Sequence, residues 1–289
     1  MMTTKFAHAR GEAQRCGGLS SGHRACISLL LTVLPIAAVA GCVSLPGATT
    51  VGAGAHRRSV ALLGEGTPVV VFESGLGNSK EVWESVFAPV AGFTRAVAYD
   101  RAGYGRSRTG ARERDGATVV SELRALLRAL DLPPPYLLVG HSLGGQFVEL
   151  YARTHPEEVA GVVLVDARSV DFSRRCLDER VERCTLPWLS RMLLPSGARA
   201  EFAVAARTEE QIRAAGPFPV VPLRVLTATQ RPADMPNLRR VWAATQAELS
   251  LLSPLGEQEI CDRCGHFIQR DAPDRVIEAI RSIVVSTRE

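Results

Sequence analysis

Short apolar runs recur along this chain, each separated from the next by a stretch long enough for a helix. They are Val69–Phe72, Ala96–Tyr99, Leu137–Val139, Val162–Val165 and Leu223–Leu226. Parallel strands need long crossover connections, so this alternation predicts an α/β fold with a mostly parallel sheet and helices on both faces. One crossover carries its period openly. Val119, Val120, Leu123, Leu126, Leu127 and Leu130 return at helical spacing, and Asp131–Pro135 stops the helix before the next strand.

The rhythm breaks between Ala167 and Pro222. That segment holds two cysteines, many arginines, Pro187, Pro195 and Pro217, and no convincing strand, which predicts a cap over the sheet at about 168–221. A length of 289 residues suits one α/β domain with an N-terminal extra. With 46% hydrophobic and 22% charged residues, the chain can bury a real core.

Residues 1–41 read as a secretory leader: a basic front, an apolar run from Ala25 to Ala40, then Val39-Ala40-Gly41-Cys42. The run is short for a membrane span. Small residues followed directly by a cysteine resemble a bacterial lipobox, which makes Cys42 the expected site of lipidation and the cell envelope the expected location. Residues 42–55, rich in Gly, Ala, Thr and Pro, suit a flexible tether, with the folded domain over 56–289. Four of the 34 basic residues and one of the 30 acidic ones lie in the leader, leaving the body at a net charge of +1. A near-neutral body offers no electrostatic footprint for nucleic acid.

Beyond Cys42 four cysteines remain: Cys176, Cys184, Cys261 and Cys264. In an oxidising compartment they can pair in three ways, between which sequence does not choose. Pairing of near neighbours, Cys176–Cys184 and Cys261–Cys264, is preferred. One CxxC beside a pair with seven residues between its members does not make a zinc knuckle, and no metal is expected.

The sharpest local signal is Gly140-His141-Ser142-Leu143-Gly144 directly after the run Tyr136–Val139. A G-x-S-x-G between strand and helix describes a nucleophile elbow, a strained turn that exposes the serine hydroxyl. The helix that follows points its positive end at developing negative charge. With this motif, and with Tyr99-Asp100-Arg101-Ala102-Gly103-Tyr104-Gly105-Arg106-Ser107 matching a DxxGxGxS pattern, the chain resembles the α/β-hydrolase family from about Ser59 to Ser286. The resemblance implies an eight-stranded sheet, a cap after the sixth strand, and a catalytic order of serine, acid, histidine.

A serine hydroxyl needs a base within hydrogen-bond reach. Of His56, His141, His155 and His266, only His266 follows the last expected strand, around Glu259–Cys261, where the family places its base. The acid is less plain. The family's usual place follows Leu226-Thr227-Ala228, and there Thr229-Gln230-Arg231-Pro232 has no carboxylate. Asp166, at the end of the sixth strand, and Asp234, farther along the later loop, are both candidates. For the oxyanion, the backbone N–H groups of Leu143 and Leu76 are expected, the latter in Ser74-Gly75-Leu76-Gly77-Asn78, where the family more commonly begins His-Gly. Arg101 and Arg106 read as either an anion-binding pair or surface residues. Trp83 reads as packing.

The leading expectation is a serine hydrolase that cleaves a small carboxylic ester or related acyl bond through an acyl-serine, needing no cofactor. Its rival is a binding or sensory lipoprotein that keeps the fold and has lost catalysis, since a fold does not fix a function.

Overall fold

In a computed structural model, residues 44–52, 57–109, 113–181, 184, 188–230 and 236–288 are described. The leader, Cys42, His56 and Asp234 lie outside these residues. Among them, eight strands form one sheet in the order β1-β2-β4-β3-β5-β6-β7-β8. The strands are β1 (Ala48–Val51), β2 (Arg58–Leu63), β3 (Val69–Glu73), β4 (Ala96–Tyr99), β5 (Tyr136–His141), β6 (Val159–Val165), β7 (Leu223–Ala228) and β8 (Gly256–Cys261). β1 and β2 run antiparallel, and every pairing from β4 to β8 is parallel.

The helices are α1 (Glu84–Ala91), α2 (Gly116–Ala129), α3 (Leu143–Thr154), α4 (Phe172–Asp178), α5 (Trp188–Met192), α6 (Ser196–Ala203), α7 (Ala205–Ala214), α8 (Pro236–Ser250), α9 (Ile268–Asp271) and α10 (Pro273–Ser286). Among the described residues, two large apolar cores flank the sheet. Phe72, Val139 and Val163 pack with Trp83, Phe87, Ile280 and Ile283. Val71, Leu138 and Leu164 pack with Leu123, Leu127, Leu150 and Tyr151. Successive strand residues point to opposite faces, so each central strand feeds both cores, and this is why these strands read as unbroken apolar runs.

The sheet begins earlier than the tether reading of 42–55 allowed. Thr49, Thr50 and Val51 are β-branched and pair with Val60, Ser59 and Arg58 of β2, in that order, while Leu45 is buried in the first core. β1 is an edge strand that is largely exposed, so it shows no apolar period by which sequence would reveal it.

Helices α4 to α7 occupy the stretch between β6 and β7, where the cap was expected. The cap is tied down from both α7 and α6. From α7, the Thr208 hydroxyl accepts the Gly116 N–H at 2.9 Å and Gln211 Oε1 accepts the Ala117 N–H at 3.0 Å, satisfying first-turn donors of α2 that the helix itself leaves open. From α6, the Gly197 N–H reaches the Gly103 carbonyl. A Cβ on Gly197 would lie 2.2 Å from the Ala102 carbonyl oxygen, so only glycine permits that approach. Both preferred cysteine pairs are bonded, Cys176 to Cys184 and Cys261 to Cys264.

Candidate active site

Ser142 stands between β5 and α3 with φ 53° and ψ −121°, a strained left-handed conformation for a residue with a side chain. The sharp turn closes because glycine flanks it. A Cβ on Gly144 would sit 2.4 Å from the Glu73 carbonyl oxygen of β3. Three side chains, contributed by the ends of β5, β6 and β8, then converge. His266 Nε2 lies 2.9 Å from Ser142 Oγ, and His266 Nδ1 lies 2.6 Å from Asp166 Oδ2.

Asp166 is fully buried and, with φ 41°, also occupies the left-handed region. Its other oxygen, Oδ1, accepts the Trp242 indole N–H at 2.9 Å and the Ala228 N–H at 3.2 Å. Held by these donors, the carboxylate fixes the imidazole with Nδ1–H towards it, leaving Nε2 free to accept a proton. Of the two candidate acids the structure therefore brings Asp166 to His266. Asp234 lies outside the described residues.

Leu143 is the first residue of α3, where backbone N–H groups have no intrahelical acceptor. Leu76 follows Gly75, whose added Cβ would stand 3.0 Å from Ser142 Cβ and 2.9 Å from His141 Nδ1; the loop after β3 is thus laid against the nucleophile. The substitution of Ser74 for the expected histidine is supported locally. Trp83 Nε1 donates to Ser74 Oγ at 3.2 Å, and Ser74 Oγ donates to the Ser79 carbonyl at 3.3 Å. Trp83 is packing, as read, but it also braces this loop.

Two residues do more than their sequence context suggested. His141, set aside above as a base, lies beside the chemistry. Its ring lies 4.7 Å from that of His266, and its Nε2 donates to the His266 carbonyl at 2.8 Å. Burial, and then the neighbouring His266, push its pKa down to about 3, so the ring is neutral. Arg101 is neither a surface residue nor open to an anionic ligand: it is buried and paired with Glu73 and Glu201. Trp242 was missed altogether, and nothing near it in sequence signals a bond to a residue 76 positions away.

The DxxGxGxS segment is structural. Asp100 Oδ1 accepts the Lys80 N–H at 2.8 Å and Oδ2 the Arg106 N–H at 3.0 Å, while Ser107 Oγ donates to the Asp100 carbonyl at 2.6 Å. Among the described residues, no group of three His, Cys, Asp or Glu side chains is placed to hold a metal.

A sharp strand-to-helix turn bearing a serine, an imidazole and a buried carboxylate meet at the carboxyl ends of a mostly parallel sheet, an arrangement that can carry nucleophilic chemistry. The profile of the alpha/beta hydrolase fold matches residues 68–194, and the chain has the α/β-hydrolase fold. It is 28% identical over 231 residues to the uncharacterized protein YqjL of Bacillus subtilis (strain 168), across 79% of this chain and 86% of that one. Its fold is similar to that of a thermophilic esterase from Thermogutta terrifontis, with TM-score 0.56 and 20% identity over 84% of this chain and 99% of the other. It is also similar to that of the enol-lactonase from Burkholderia xenovorans LB400, with TM-score 0.58 and 18% identity over 79% and 96%.

Proposed function

We propose that this protein is a serine hydrolase that cleaves a small carboxylic ester or related acyl bond. Ser142 Oγ attacks the acyl carbon as His266 takes its proton, and the oxyanion is held by the N–H groups of Leu143 and Leu76. His266 returns the proton to the leaving group, and a water deprotonated by His266 then releases the acid. The observation that carries this reading is the pair of contacts at the two ring nitrogens of His266, 2.9 Å to Ser142 and 2.6 Å to Asp166. The fold similarity to an esterase and a lactonase is in keeping with it.

The experiment is labelling with a fluorophosphonate, followed by a panel of acyl esters of graded chain length. Labelling and turnover that disappear in Ser142→Ala and fall sharply in His266→Ala are expected. Folded wild-type protein that neither labels nor turns over any ester would instead favour the binding or sensory role.

The same reading places the protein in the cell envelope, exported by residues 1–41 and anchored through a lipid on Cys42. The basic front, the apolar run and the small residues before Cys42 support this. Cys42→Ser should move the protein from the membrane to the soluble fraction; unchanged fractionation would refute the anchor.

A further inference from the structure

Arg101 spends all five of its N–H donors on buried acceptors. Nε bonds Glu201 Oε1 at 2.8 Å. Nη1 bonds Glu73 Oε1 at 2.6 Å and the Ser74 carbonyl at 2.5 Å. Nη2 bonds the Gly75 carbonyl at 3.2 Å and Glu201 Oε2 at 2.9 Å. Its guanidinium also lies 4.4 Å from the centre of the Tyr104 ring and 5.1 Å from that of Phe147. No donor is left for a ligand, and no lysine could reproduce the fork.

The two carbonyls that Arg101 holds belong to the loop that faces the nucleophile. In a trans peptide the C=O of one residue and the N–H of the next point to opposite sides. Fixing the Gly75 carbonyl on Arg101 therefore fixes the Leu76 N–H on the other side, and Gly75 itself lies against Ser142. The Asn78 N–H, at 3.3 Å from the same carbonyl, adds a second hold. Rotation of this one peptide would turn an acceptor, not a donor, towards a developing oxyanion.

Arg101 is in turn held from the cap. Glu201 lies on α6, is 2% exposed, and takes two bonds from Arg101 and a third from the Tyr104 hydroxyl at 2.5 Å. Arg114 Nε approaches Glu201 Oε1 at 3.5 Å as a second cation. On the sheet side, Glu73 also accepts from the Tyr99 hydroxyl. Burial raises the Glu73 pKa, and Arg101 works against that rise.

We infer that Arg101 is the positioning residue of the oxyanion site, setting the Gly75–Leu76 peptide, and that Glu201 couples the seating of the cap to that peptide. The inference rests on the acyl-transfer reading above. It makes the cap more than a cover for substrate: the α6 helix must be docked for the loop after β3 to present its donor.

The test compares Arg101→Gln, Arg101→Lys and Glu201→Gln with the wild type in kcat and KM for the best ester of the panel. Two further readouts are the Ki of a trifluoromethyl ketone, which forms a hemiketal oxyanion on Ser142, and the downfield NMR resonance of the His266 Nδ1–H. Loss of an oxyanion donor costs about 10²–10³ in kcat. Arg101→Gln and Arg101→Lys should fall towards that range with KM little changed, the Ki rising in step and the His266 resonance retained. Glu201→Gln keeps the size of the side chain and should show the same pattern to a smaller degree. It decides the matter if the Arg101 variants do not fold. Variants with kcat and Ki within about twofold of an active wild type would overturn the inference alone. Loss of the His266 resonance together with activity would also overturn it, since the damage would then be general. A wild type without Ser142-dependent turnover would remove the reading beneath it instead.

Discussion

The imidazole of His141 donates through Nε2 to the backbone carbonyl of His266 at 2.8 Å, so the residue next to the nucleophile in sequence holds the main chain of the base. It is fully buried, and its other nitrogen, Nδ1, has no hydrogen-bond partner among the described residues.

His141→Gln retains an N–H donor and should keep most activity, whereas His141→Ala releases the His266 main chain. A misplacement of about 1 Å can cost about 10²-fold in rate, and a fall in kcat of that order is expected for the alanine variant with Ser142 still reactive towards a fluorophosphonate at a reduced rate. Steady-state kinetics on both variants check this.

The same histidine gives the fold a pH dependence of known sign. Burial and the neighbouring His266 push its pKa from 6.5 down to about 3 in the folded protein. Above the unfolded value neither state is protonated and the group makes no difference. As pH falls below it, the unfolded chain takes up a proton that the folded chain refuses, so stability declines by up to about 1.4 kcal/mol per pH unit until the folded pKa is reached. Urea unfolding between pH 7 and pH 4 should show a shallower loss for His141→Gln than for the wild type; equal slopes would contradict this (about 1.4 kcal/mol per unit being the largest difference one group can make).

Asp166 and Asp234 separate cleanly by mutation. In Asp166→Asn the amide NH₂ can face His266 Nδ1 and draw the proton to Nε2, where it blocks acceptance from Ser142. A fall of about 10⁴ in kcat is expected for such a tautomer error, with activity near wild type for Asp234→Asn. The reverse result would transfer the acid's role to Asp234.

Trp242→Phe removes one donor from the buried Asp166 carboxylate while keeping an aromatic ring against Phe172, which it meets at 4.9 Å. A hydrogen bond to a charged group is worth about 1.5–3 kcal/mol, so a stability loss in that range and a lower kcat are expected together. Chemical denaturation and steady-state kinetics on the purified variant measure both.

The parts of this molecule that sequence reveals are those whose signal is local. β3 and β5 are continuous apolar runs because both faces are covered, and Ser142 is marked by glycines two residues to either side that the turn itself requires. β1 left no such trace, since an exposed edge strand of Thr and Val has no buried face to impose a pattern. The choice between Asp166 and Asp234 stayed open because it depends on which strand end approaches His266. That is fixed by the pairing of β6 with β7 and of β7 with β8, and not by any residue beside either aspartate. Arg101 was visible as a charge but not as a clamp, because Glu201 lies 100 residues away in the cap. The bond from His141 to the base likewise spans 125 positions.

The most direct measurement is rapid-quench mass spectrometry of the protein mixed with a p-nitrophenyl ester. A burst of p-nitrophenolate should accompany an acyl-sized mass increase on the peptide that contains Ser142, with neither seen in Ser142→Ala. Ester turnover that persists in Ser142→Ala, or an acyl group that maps to any other residue, would contradict the assignment of Ser142 as the nucleophile.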